Sequence, residues 1–127
     1  ALCPESGNLC SLIMPYSNTD CMQIFLEEFA GQRAGKPTLL IMDQAAWHKS
    51  PALARYPNIL IKFQPPYSPE LNPVEQLWKH LRTTFTHHWF RHSLAQLEDR
   101  LCEVLFQLYM NPQTIKSFSR FDWMVYV

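Results

Sequence analysis

Residues 58–82, "NILIKFQPPYSPELNPVEQLWKHLR", pass from an apolar segment through a proline tract into an apolar pattern of helical period. Asn58 to Phe63 is apolar without alternation, as in a strand buried on both faces of a mainly parallel sheet. Pro65, Pro66, Pro69 and Pro73 then place four prolines in nine residues. The helix that follows starts in one of two registers. Asn72-Pro73-Val74-Glu75 fits N-cap, N1, N2 and N3, with proline preorganised at N1 and Glu75 able to reach back to the cap amide. Alternatively Ser68 caps and Pro69 is N1, leaving Glu70 as the first-turn acid. In both registers the prolines hold the first turn at a fixed distance from the preceding strand. That rigidity exceeds what a cap needs and suits a carboxylate that must be placed accurately for metal binding. Along the helix Val74, Leu77, Trp78, Leu81 and Phe85 make a core stripe, while Glu75, Lys79 and Arg82 share another face. Glu75 and Lys79 are spaced for an i,i+4 ion pair; alternatively Lys79 and Arg82 hold phosphates beside the carboxylate.

Upstream, "TLLIMDQ" (residues 38–44) reads as a second doubly buried strand, Leu39 to Met42, ending at Asp43. Before it, "NTDCMQIFLEEFAGQ" spaces Met22, Phe25, Leu26 and Phe29 as an amphipathic helix that Gly31 or Gly35 ends. "ALC" and "LCSLIMPY" flank the turn-rich "PESGN" and predict a β-hairpin. Downstream, helices are expected over Pro73 to Phe85 and Ser93 to Met110, then a short terminal element. The order β-β-α-β-(short helix)-β-α-α is an α/β pattern in one domain, residues 1–127.

The chain has 127 residues, 47% of them hydrophobic, enough for a real core. No apolar run approaches the roughly 20 residues that span a bilayer, and no signal peptide is evident, so a cytoplasmic protein without a membrane partner is expected. Cys3, Cys10, Cys21 and Cys102 show no zinc spacing and make no disulfide framework, although Cys3 and Cys10 can face each other across the hairpin. The zero net charge is unevenly spread. Residues 1–46 carry −3, residues 47–92 carry +4 and all five histidines, and the remainder carries −1. Chance clustering on a solvated surface and a polyanion track through the middle segment both fit that distribution.

In open α/β sheets the ligand crevice lies beyond the carboxyl ends of the strands. Asp43 ends one strand there and Glu75 follows the other, and two such acids make a hard, oxygen-rich site suited to Mg²⁺ or Mn²⁺ and phosphate chemistry. Each also has a plain role: Asp43 as cap of the turn after its strand, Glu75 as a capping-box residue.

"LLIMDQAAWHKS" followed by "FQPPYSPELNPVEQLWKHLR" resembles the last two catalytic motifs of the DDE transposases of the mariner superfamily, in its bacterial insertion-sequence branch. The likeness runs from "PESGNL" to "FDWMVYV". It implies a ribonuclease-H-like mixed sheet flanked by helices, with Asp43 as the second catalytic aspartate, Glu75 as the third acid, and His48 matching a histidine that often follows that aspartate. The two acids lie 32 positions apart, somewhat fewer than in eukaryotic mariner members. Members carry a first catalytic aspartate on a first strand upstream of the hairpin, and neither Glu5 nor Asp20, Glu27 or Glu28 sits in that position. The expectation is therefore a partial catalytic domain without its first strand and DNA-recognition region, inactive alone and prone to self-association or pairing with an upstream transposase segment.

The implied reaction is cleavage and transfer of DNA strands at transposon ends through two Mg²⁺ (or Mn²⁺) ions held by Asp43 and Glu75. Lys49, Lys62, Lys79 and Arg82, together with His48, are the implied DNA contacts, and a nucleoid-associated location follows from the substrate. Two alternatives stay open: a ribonuclease-H-like nuclease or host-adopted DNA-binding remnant, and a non-catalytic fragment pairing through Trp78 and Trp89.

Overall fold

Asp43 and Glu75 fall in different compact units, residues 14–68 and residues 1–13 with 69–127, in the computed structural model, which describes residues 1–85 and 93–126. The first unit begins with α1 (Thr19–Arg33), capped by Asn18, whose side chain accepts from the Cys21 amide at 2.9 Å. Met22, Leu26 and Phe29 are its buried stripe, while Phe25 is only half-buried. The helix runs past Gly31 and ends at Gly35: Ala34, the C-cap, takes the left-handed conformation (φ 46°) and returns its amide to the Ala30 and Gly31 carbonyls, with Gly35 following at φ 77°. A Cβ in that region is strained, so Ala34 is a costly C-cap residue.

Strands β1 (Thr38–Met42) and β2 (Ile59–Phe63) pair in parallel, Leu39 opposite Leu60 and Ile41 opposite Lys62. They are the whole sheet among the described residues. This corrects the expectation of strands buried on both faces. Leu40 and Met42 are buried, but Leu39, Ile41 and Leu60 are each more than half exposed, so the sheet has one covered and one open face. A single helical turn, Ala46–His48, lies between the strands and touches α1.

In the second unit the expected hairpin shrinks to one antiparallel bridge, Leu2 to Leu9, because the first arm offers only three residues to pair. Gly7 closes this turn at φ 76° against Pro112, where a Cβ would overlap the Pro112 carbonyl. Cys3, Cys10, Cys21 and Cys102 form no disulfide with one another. Burial works against the Cys3 thiolate, yet hydrogen bonds from the Ser6 side chain and the Ser6 and Glu5 backbone outweigh it, so this thiol lies below its ordinary range.

Helix α2 (Pro73–Phe85) matches its sequence reading, and α3 (Leu94–Met110) and α4 (Pro112–Ser119) follow. Leu77 and Leu81 of α2, Val104 and Leu108 of α3, Ile115 of α4 and Leu9 form the buried cluster, with α4 packing on both other helices. A fully buried side chain such as Ile115 contributes about 1.5–3 kcal/mol. Trp78, expected in this core, is half exposed, and Val74 is intermediate; Trp89 lies outside the described residues. The capping box forms at α3, where Ser93 and Gln96 exchange backbone and side-chain hydrogen bonds. A turn over Asp122–Tyr126 ends the described chain.

Candidate active site

The hydrogen-bond ladder of the sheet extends one step past β2, where the Gln64 amide donates to the Met42 carbonyl at 2.8 Å. Asp43 is thus the first residue released from the carboxyl end of β1. Its Oδ1 accepts the Ala45 amide at 3.0 Å and lies 2.7 Å from His48 Nδ1. The same ring nitrogen is 3.3 Å from the Asp43 carbonyl oxygen. Both partners of Nδ1 are acceptors, so the hydrogen resides on Nδ1. The turn-capping role and the site role of Asp43 therefore coexist: one carboxylate oxygen closes the turn, and Oδ2 has no partner among the described residues.

Gln44, which the sequence reading passed over, ties this loop to its surroundings. Its Nε2 donates to the Gln64 carbonyl at 2.9 Å, and its Oε1 accepts from Lys49 Nζ at 3.3 Å. Lys49 is thereby held near the strand end through a glutamine, while Asp43 keeps His48. Lys62 sits on β2 opposite Ile41, on the open face of the sheet.

At α2 the Asn72–Pro73 register starts the helix; Pro69 starts only a separate turn, before which the Ser68 hydroxyl donates to the Pro66 carbonyl at 3.3 Å. Pro69–Leu71 forms a single helical turn, and α2 begins at Pro73. Asn72 Oδ1 accepts the Val74 amide at 3.0 Å, as a cap should. The capping box does not form, because the Asn72 amide already donates to the Pro69 carbonyl at 2.9 Å. Nor do Glu75 and Lys79 form an ion pair; the described salt bridges are His48–Asp43 and Arg100–Glu103. Glu75, Lys79 and Arg82 are all exposed, and the Glu75 carboxylate has no hydrogen-bond or ionic partner among the described residues. Within the tract Tyr67 is fully exposed and takes a left-handed φ of 57°, strained for an aromatic residue.

The structure thus brings Asp43, His48, Gln44, Lys49 and Gln64 together, and sets Glu75, Lys79 and Arg82 on α2 of the other unit. No group of three or more His, Cys, Asp or Glu side chains fit to hold a metal gathers among the described residues. The donors that are present suit a hard divalent cation: Asp43 offers a free carboxylate oxygen and Glu75 a free carboxylate. No helix among the described residues is long and apolar enough to cross a membrane.

The chain is 35% identical over 124 residues to "Uncharacterized protein y4pE/y4sA" of Sinorhizobium fredii (strain NBRC 101917 / NGR234), covering 97% of this chain and 92% of that protein. No solved structure matches it. The family model described as "DDE superfamily endonuclease" matches residues 1–98, beginning in the Leu2–Leu9 turn and including both Asp43 and Glu75. The chain belongs to the DDE superfamily endonucleases.

Proposed function

We propose that this chain is the catalytic part of a transposase of the mariner superfamily, in its bacterial insertion-sequence branch, with a ribonuclease-H-like fold. Its activity is divalent-metal-dependent cleavage and transfer of DNA strands. The observation that carries this reading is Asp43, set at the carboxyl end of β1 with one oxygen fixed and the other free, in a chain of the DDE endonuclease family. Asp43 and Glu75 are the residues that would hold Mg²⁺ or Mn²⁺. The chemistry that two such ions would supply is activation of an attacking oxygen and stabilisation of a leaving oxygen. The chain's own contribution is placement. The Ala45 amide and His48 orient Asp43, the Asn72 cap and prolines set the first turn of α2, and Lys49, Lys62, Lys79 and Arg82 hold phosphates without reading sequence.

The resemblance implies three catalytic carboxylates, and these 127 residues supply two of them. Cleavage is therefore expected when an aspartate-bearing strand is supplied, fused or in trans, and not from the 127 residues alone. The same partner completes the sheet, whose two strands leave both edges open among the described residues. Nicking of duplex DNA in Mn²⁺, measured with and without the added strand, tests the proposal. Strand transfer by the isolated chain that disappears in Asp43→Ala would refute the need for a third acid and direct attention to Asp20. Nicking that survives both Asp43→Ala and Glu75→Ala would refute the assignment of these two residues.

A further inference from the structure

Asp43 is an exposed side chain on a loop, 60% accessible, and such a carboxylate ordinarily samples several rotamers. A metal ligand must instead present its oxygen within a fraction of an ångström, and residues behind the ligand usually impose that. Here Oδ1 is held from two sides, by the Ala45 amide at 3.0 Å and by His48 Nδ1 at 2.7 Å.

Of the two partners in that contact, the histidine is the anchored one. His48 lies in the helical turn Ala46–His48, its amide donating to the Ala45 carbonyl at 3.0 Å. Its side chain is 20% accessible and stands nearly perpendicular to the Trp47 ring, 5.9 Å between centroids. Its Nδ1 also approaches the Asp43 carbonyl oxygen, so the ring bridges the backbone and side chain of one residue. The one lysine of this loop, Lys49, is engaged by Gln44 and leaves Oδ2 open.

We infer that His48 is a positioning residue, which fixes Asp43 through Oδ1 and turns Oδ2 outward as the metal-binding oxygen. This rests on the reading of Asp43 as a metal ligand. It gives His48 a role through Asp43, in place of the direct DNA contact implied by the resemblance. The role needs a hydrogen on Nδ1 and does not depend on the charge of the ring, because both the Nδ1–H neutral form and the imidazolium donate there.

The test is an NMR titration of the 127-residue chain with Mn²⁺, following paramagnetic broadening of the Asp43–Ala45 resonances. Hydrogen exchange at the Ala45 amide is measured in the same samples. In His48→Ala the Mn²⁺ concentration for half-broadening should rise about 10–100-fold, the usual cost of losing such a support. The Ala45 amide should exchange faster while amides of β1 and β2 keep their protection, which separates a loose carboxylate from a failed fold. His48→Asn, whose amide nitrogen stands near the place of Nδ1, should recover most of the affinity. His48→Gln, whose amide stands near the place of Nε2, should not. Broadening that Asp43→Asn abolishes and His48→Ala leaves unchanged would overturn the positioning role alone, as would equal losses in His48→Asn and His48→Ala. No broadening at Asp43 in the unaltered chain would overturn the metal-ligand reading, and the inference with it.

Discussion

Asp43 and Glu75 are both carboxylates at the end of a regular element, yet the chain controls them differently. Around Asp43 the backbone is a short loop, and control comes from side chains: His48 and the Ala45 amide hold one oxygen, while Gln44 fastens the loop to Gln64 and Lys49. Around Glu75 the backbone is fixed by a cap and prolines, and the carboxylate has no partner among the described residues. One acid is oriented before any ligand arrives. The other is delivered to a place and left to choose its rotamer, a loss of freedom that falls due on binding.

The largest effect that probes this contrast is on activity. With an aspartate-bearing strand supplied, Asp43→Ala and Glu75→Ala should each reduce Mn²⁺-dependent nicking to the uncatalysed background. Glu75→Ala should change folding stability by less than about 0.5 kcal/mol, since its exposed side chain has no hydrogen-bond or ionic partner among the described residues. Thermal or urea unfolding beside the nicking assay checks both halves. A much larger stability loss in Glu75→Ala would show that this carboxylate is held after all.

DNA binding by the 127 residues should be weak and independent of sequence. With Lys49, Lys62, Lys79 and Arg82 as the phosphate contacts, affinity should fall roughly 10²-fold between about 50 and about 200 mM salt. Removing any one of the four should lower the salt slope by about one. Tight, sequence-selective binding insensitive to salt would mean that the chain contains a base reader.

Smaller effects separate the two modes of control. Asn72→Ala removes the cap of α2 and should cost about 1 kcal/mol. Gln44→Ala removes the tether to Gln64 and Lys49 and should cost about 0.5–1.5 kcal/mol, with faster exchange at Ala45. Smallest of all, Lys79→Ala should cost less than about 0.5 kcal/mol, because Lys79 makes no ion pair with Glu75. A larger loss, cancelled when Glu75 is also removed, would break the contrast by restoring that pair.

The residues near Pro73 show how much of this was legible in the sequence. Asn72 and Pro73 marked the start of α2 because cap and N1 preferences are local properties of the backbone. The capping box failed for an equally local reason: Pro69–Leu71 forms its own turn and consumes the Asn72 amide that Glu75 needed. Asp43 at a strand end was readable from the apolar run before it. One-sided burial of β1 was not, since the cover on each face of a strand is a tertiary property that Leu39–Met42 cannot encode by pattern. The support from Gln44 and Gln64 was invisible because the two are 20 positions apart and meet only once β1 and β2 pair. His48 was singled out by resemblance, and its contact with Asp43 came only from the turn at Ala46–His48.

The central claim, that Asp43 and Glu75 serve one metal site, is tested most directly by Mn²⁺ affinity in a double-mutant cycle. The cycle compares the unaltered chain with Asp43→Asn, Glu75→Gln and the double variant, with Mn²⁺ followed by electron paramagnetic resonance. Either substitution alone should lose nearly as much affinity as both together, because each leaves the same site short of a carboxylate. Losses that simply add, or a Glu75→Gln variant that binds Mn²⁺ as the unaltered chain does, would contradict a shared site.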